Sequence, residues 1–209
     1  MTDRLILAFA LLALPGTAHA QQKPGAVKSA FTQTAVLAGG CFWGVEAVYE
    51  HTKGVVDVVS GYAGGDKGSA NYEAVGGGST RHAESVRITF DPSQISYEQI
   101  LKIFFSVVHD PTQLNRQGPD IGPQYRSAIF YSNAEQQSAA KTFIASLTQA
   151  KTFPKPIVTE VAPLKGFFMA EQYHQDFVAN NPKHPYVVYH DLPKLERLKS
   201  GFPQVFVSR

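Results

Sequence analysis

Cysteine is almost absent: Cys41 is the single one in 209 residues. One cysteine builds no disulfide framework and no thiolate zinc cluster. Charge of one sign is lacking too. The formal net charge is +2 from 19 basic and 17 acidic residues, too close to neutral to recruit nucleic acid or an anionic membrane. No apolar run is long enough to span a bilayer as a helix. Internal repeats and low-complexity segments are also lacking, which excludes solenoids and disordered tracts.

The longest apolar stretch, 5–14, follows Arg4 and precedes Ala18-His19-Ala20. That order reads as a secretory signal peptide over 1–20, with a periplasmic or secreted destination. Residues 21–32 read as a flexible lead-in, with Pro24 and Gly25. One domain over 33–209, ending in a C-terminal tail, has enough chain for a full core. An isolated cysteine in an oxidising compartment calls for a chemical reason.

Downstream, strand and helix signals alternate. Strands are expected at 33–38, 55–61, 84–90, 125–131 and 156–162. Helices are expected at 42–51, 96–108, 132–148, 170–180 and 192–199. Ser96 with Gln99, and Ser132 with Glu135, have capping-box spacing. Strands separated by helices suggest one sheet with helices packed on it. Two long loops, 62–80 and 109–124, are the natural carriers of function.

Cys41 follows Gly39-Gly40 and opens a helical pattern. Unpaired N–H groups and the helix dipole at such a position favour an anion, so the thiol is expected to ionise easily. The competing interpretation is a small buried hydrophobe. Glu84, in His82-Ala83-Glu84, starts a strand after the glycine-rich loop and is a candidate proton donor, or else a solvated strand-end carboxylate. His-x-Glu also belongs to zinc deaminases, but their second cysteine motif is missing. His109, Asp110 and His174 have poor spacing for a metal. Tyr72, Asp120 and Tyr125 lie in or beside the long loops. Phe42 and Trp43 are either core or walls of a small apolar pocket.

Gly40-Cys41-Phe42-Trp43-Gly44-Val45-Glu46 resembles the signature of the A-type peptide methionine sulfoxide reductases. The likeness continues through Gly61-Tyr62-Ala63-Gly64-Gly65, His82-Ala83-Glu84, Phe90-Asp91-Pro92 and His109-Asp110-Pro111-Thr112. Asn115-Arg116-Gln117-Gly118, Gln124-Tyr125-Arg126-Ser127 and Tyr173-His174-Gln175-Asp176 complete it. The resemblance implies an α+β two-layer sandwich, a ferredoxin-like core of mixed sheet with helices packed on it, and no metal or organic cofactor. It implies reduction of the S epimer of methionine sulfoxide, free or in oxidised proteins and peptides. Cys41 would be the nucleophile, Glu84 the acid, and Tyr72 and Tyr125 hydrogen-bonding partners of the sulfoxide oxygen. Asp120 would be a polar group of the same site, and Phe42 and Trp43 would cradle the substrate methyl. Neither nucleic acid nor membrane is implied as a partner.

Two departures stand out. Members often carry recycling cysteines near the C-terminus; here that stretch has His184, Tyr186, His190 and Asp191 instead. A sulfenic acid at Cys41 would therefore need an external thiol, either a thioredoxin-like protein or a small thiol. Arg81 also stands where the family usually has glycine, and a cation there would lower the Glu84 pKa. A thiol peroxidase and a non-catalytic aromatic-lined binding module are the alternative functions.

Overall fold

The computed structural model describes residues 31–209; the expected signal peptide and most of the lead-in lie outside them. A six-stranded sheet runs in the order β7-β6-β1-β3-β2-β8. Its strands are β1 (Gln33–Gly39), β2 (Val55–Ala63), β3 (Ala83–Phe90), β6 (Ser127–Tyr131), β7 (Glu160–Pro163) and β8 (Phe167–Met169). All neighbours are antiparallel except β6 and β7, which are parallel. The remaining strands, β4 (Arg116–Gln117) and β5 (Asp120–Ile121), form a small separate hairpin.

Alternation along β1 sends side chains to two faces. Ala35 and Leu37 join Val86, Ile88 and Ile129 in the larger core, under helices α1 (Phe42–Glu50), α3 (Tyr97–Ile103) and α4 (Ala134–Gln149). Val36 and Ala38 join Ala63, Ala83, Ala128 and Phe130 in a thinner cluster on the opposite face, with Leu164 and Phe167 against it. Helix α6 (Leu192–Gly201) reaches the larger core through Leu198. The result is the expected α+β layering of a mixed sheet and helices. Among the described residues no helix is long and apolar enough to cross a membrane.

Capping follows the sequence at α3, where Ser96 and Gln99 close a reciprocal box. At α4 it does not. Asn133 caps the helix by accepting from the Gln136 N–H at 2.8 Å, while the Ser132 hydroxyl donates to the Gln136 side chain at 3.0 Å. Asn is as good a cap as Ser, and one residue decides which is used.

The helix expected at 170–180 is interrupted. Only α5 (Phe177–Asn180) is α-helical, preceded by a single turn at Gln172–His174. The Gln175 side chain accepts from the Ser60 N–H at 2.9 Å and donates to the Ser60 and Ala170 carbonyls at 3.1 Å. Asp176 then adopts the left-handed conformation, φ 54°, with its N–H on Glu46. Side-chain bonds to β2 replace the helical ladder here. Two further differences concern lengths. β6 and β7 are shorter than expected at their N-terminal ends, and β8 has only three residues, too few to give a period.

Candidate active site

Cys41 sits at the junction of β1 and α1 and is the N-cap of α1. The turn before it needs glycine. Gly40 has φ +93°, and a Cβ there would meet the Gln117 side chain at 2.7 Å. The hairpin carrying Gln117 and Asp120 can therefore close over the cysteine.

Glu84, at the start of β3, is 2% exposed. Its Oε2 accepts the Phe42 N–H at 3.1 Å, in the first turn of α1. Burial pushes its carboxyl up to about 8, the Phe42 bond opposes this, and Asp120 adds to it. The expected acidifying influence of Arg81 is not found. That side chain is exposed, while its carbonyl accepts from the Arg126 guanidinium at 2.9 Å. Glu84 is thus a buried acid that keeps its proton near neutral pH, not a solvated strand-end carboxylate.

The cysteine departs from expectation in the other direction. Its thiol is held well above its ordinary value, first by burial and then by the charges of Glu84 and Asp191. Lys194 and the Trp43 backbone N–H act the opposite way and are outweighed. At 8% exposure, loss of water around the sulfur defeats the helix terminus. In the resting state both Cys41 and Glu84 are protonated at neutral pH.

A cavity of about 230 Å³ is lined by Cys41, Phe42, Trp43, Tyr72, Glu84, Asp120, Tyr125, His184 and Tyr186. All seven residues singled out from the sequence meet here. Tyr72 opens the short helix α2 (Tyr72–Gly76), and its N–H donates to Glu171 at 2.9 Å. Tyr125 ends a single turn at Pro123–Tyr125. Burial and nearby Glu84 hold both phenols above their ordinary value, so both are hydrogen-bond donors at neutral pH.

The Trp43 indole stacks on Phe177 with ring centroids 3.6 Å apart, and its N–H donates to His174 Nδ1 at 3.1 Å. That bond fixes the His174 tautomer with its proton on Nε2. Phe42 packs against Tyr62 and His174 at 5.9 and 5.0 Å. A flat, oriented aromatic wall results.

Two cavity residues, both in the C-terminal stretch noted in the sequence, were not expected in the site. The Tyr186 hydroxyl donates to Asp120, and the Tyr186 ring meets Trp43 edge-on at 5.8 Å. His184 stands beside the same indole at 6.2 Å. Both come from the C-terminal stretch that leads into α6. Their only signal is a run of aromatic and histidine residues between Pro182 and Asp191.

Beneath the first turn of α1 lies a buried ion pair, Lys194 Nζ to Asp191 Oδ1 at 3.1 Å. Gly44 touches it: a Cβ would lie 2.1 Å from Asp191 Oδ1 and 2.4 Å from Lys194 Nζ. Glycine to alanine inside a helix ordinarily stabilises by about 1 kcal/mol. Here Gly44→Ala is expected to destabilise by roughly 1–3 kcal/mol, because both atoms are buried and held. A urea midpoint that rises instead of falling would contradict this packing.

Chemically, the cavity presents a sulfur nucleophile, a protonated carboxyl, two phenolic donors and an apolar wall. Such a site can seat a small apolar group beside the sulfur and protonate an oxygen next to it.

The comparisons agree with that chemistry. Residues 33–204 match the family model for peptide methionine sulfoxide reductase. The chain is 55% identical over 175 residues to peptide methionine sulfoxide reductase MsrA 2 of Mesorhizobium japonicum, covering 84% of this chain and 90% of that one. It is 55% identical over 171 residues to MsrA 2 of Synechocystis, covering 82% and 80%. The fold resembles reduced Mxr1 of Saccharomyces cerevisiae with TM-score 0.68 and 32% identity, over 75% of this chain and 89% of that one. Methionine sulfoxide reductase A of Corynebacterium diphtheriae gives TM-score 0.66 and 33% identity, over 78% of each chain.

Proposed function

The chain belongs to the peptide methionine sulfoxide reductase family, and from that premise we propose that Cys41 attacks the sulfoxide sulfur while Glu84 protonates its oxygen. The enzyme reduces methionine sulfoxide to methionine; we assign it the S epimer, free or in oxidised proteins and peptides. The observation that carries the assignment of roles is one juxtaposition: a buried, protonated Glu84 carboxyl and the Cys41 sulfur line the same 230 Å³ cavity.

The sulfoxide oxygen is a poor leaving group until it is protonated. Glu84 supplies that proton, and Tyr72 and Tyr125 donate hydrogen bonds to the same oxygen. The thiol proton replaces the one Glu84 gives up. As the Cys41 sulfur bonds to the substrate sulfur, two electrons pass to the substrate. The substrate S–O bond breaks and the oxygen leaves as water. Water then attacks the Cys41 sulfur, the S–S bond breaks to release methionine, and a proton returns to Glu84. This leaves a Cys41 sulfenic acid, with no net proton uptake. Trp43 and Phe42 hold the S-methyl group, and Asp120, fixed by Tyr186, faces the polar side.

Return to the thiol draws on an external thiol, a thioredoxin-like protein or a small one, since the chain has no second cysteine. The segment 1–20 directs the enzyme to the periplasm or exterior, where methionines meet oxidants; N-terminal sequencing of the exported protein should begin at Gln21.

Mass spectrometry tests the chemistry directly. Reduced enzyme given one equivalent of a methyl sulfoxide should release one equivalent of sulfide and acquire a sulfenic acid trap at Cys41. A trap adduct elsewhere, or none, would overturn the assignment. The tyrosines are separable in the same assay. Tyr72→Phe and Tyr125→Phe should each slow sulfide formation by about tenfold, the worth of one transition-state hydrogen bond, and the double variant by more than either alone. Unchanged rates would remove both from the oxygen.

A further inference from the structure

Cys41 lines a second cavity, of about 410 Å³, bounded by Val107, His109, Gln117, Tyr189, Lys194 and Arg197 among others. Apart from Cys41, it shares only Asp120 and Tyr186 with the substrate cavity. The Tyr186–Asp120 hydrogen bond is therefore the partition between two approaches to one sulfur.

The charges in the second cavity differ from those in the first. Asp110 is occupied by its own loop, accepting from the Thr112 N–H and hydroxyl at 2.9 and 2.7 Å. Lys194 is tied to Asp191. Arg197 donates to the Val107 carbonyl, at 3.1 and 3.3 Å. Among the described residues no carboxylate pairs with it. The cavity is thus lined both by a guanidinium with spare donors and by the reactive sulfur. Its volume falls within the range of sites that enclose small molecules.

We propose that this cavity admits the reductant, a small thiol carrying a carboxylate that Arg197 holds, while the substrate cavity serves the sulfoxide alone. The proposal rests on the sulfenic acid chemistry above. In the first step the thiol sulfur bonds to the Cys41 sulfur as the S–O bond breaks. The oxygen leaves as water, carrying its own proton and that of the thiol. A second thiol then attacks the mixed disulfide, giving a free disulfide and the Cys41 thiol. Two thiols are oxidised and one sulfenic acid is reduced. Displacement at sulfur is in line, so a nucleophile must approach away from the oxygen. That oxygen is left in the cavity where Glu84 acted. A second opening onto the sulfur meets this requirement without waiting for methionine to depart.

Enzyme preloaded with one equivalent of methyl sulfoxide should be mixed with either glutathione, which has two carboxylates, or 2-mercaptoethanol, which has none. Arg197→Gln should slow the glutathione reaction about tenfold and leave 2-mercaptoethanol within about twofold. Ser106→Phe, at an exposed lining position, should obstruct the cavity and slow both thiols about tenfold or more. Neither variant should alter sulfide release in the first turnover. Wild-type rates with both thiols in Ser106→Phe would overturn the proposal, as would equal slowing of both by Arg197→Gln. Regeneration of the wild type by reduced thioredoxin but not by glutathione would also overturn it. Absence of sulfide in the first turnover would instead defeat the reductase chemistry on which the proposal stands.

Discussion

Cys41→Ser is expected to leave no measurable sulfoxide reduction, a loss of about 10⁴-fold or more. The reason is electronic as well as nucleophilic. The reducing equivalents come from the cysteine sulfur, which rises from thiol to sulfenic acid. A serine oxygen has no comparable oxidation step, so a strong base beside it would not rescue the variant. Nor does a second cysteine exist to substitute. The fold should survive: the side chain is small, and the Trp43 backbone N–H that approaches the sulfur can meet a hydroxyl. The change in unfolding free energy should stay within about 1.5 kcal/mol. Substrate binding should survive too, and the protein carries its own reporter. Trp43 is the sole tryptophan and lines the substrate cavity. Titration of Cys41→Ser with a methyl sulfoxide should therefore change the indole fluorescence without forming sulfide. Turnover within tenfold of wild type would end the assignment of Cys41. A flat fluorescence titration would instead place the substrate elsewhere.

How much of this was legible beforehand follows from the range of each cause. Strand β3 is set by alternation within the segment and β1 by a short apolar run, and the Ser96–Gln99 box is local. Each could be read from a few residues. The break at Gln175 could not, because its partner is Ser60, 115 positions away. Local periodicity therefore suggested a helix that distant bonds forbid. The site residues were legible as a set, since their blocks resemble one family, yet their electrostatics were not. A helix start is visible in sequence and argues for an easily ionised Cys41. The burial of that sulfur, with Glu84 from β3 and Asp191 beside α6, exists only after folding, and it reverses the sign. The same holds for Arg81. Three positions from Glu84 in sequence, it points to solvent and leaves the carboxyl to burial. Tyr186 and His184 offered only the aromatic and histidine run around them, because their role depends on the α6 approach folding back over Asp120.

Glu84→Gln should slow the first turnover by about 10²–10⁴-fold, the usual worth of a positioned general acid. It should also change the pH dependence. With its carboxyl at about 8, Glu84 holds its proton below that pH, so the wild-type rate should be level there. Above it, two effects act in one direction. The acid is lost, and the new charge raises the already reluctant Cys41 thiol further. The rate should fall as pH rises through about 8. The amide of the substituted side chain donates a hydrogen bond but transfers no proton, so the variant should be slow at all pH values and lack that inflection. An unchanged inflection in the variant would assign it to another group. Stability gives an independent reading of the same carboxyl. Its folded pKa lies above the unfolded value, so its contribution is fully present below the unfolded pKa of about 4.5 and is lost as pH rises through about 8. At pH 9 the variant should therefore be more stable than wild type, by on the order of 2–4 kcal/mol. The two should converge near pH 4. Such an outcome would show one buried acid destabilising the alkaline fold because it is placed for proton transfer. Equal stability across that range would mean that Glu84 is ordinarily acidic and is not the proton donor.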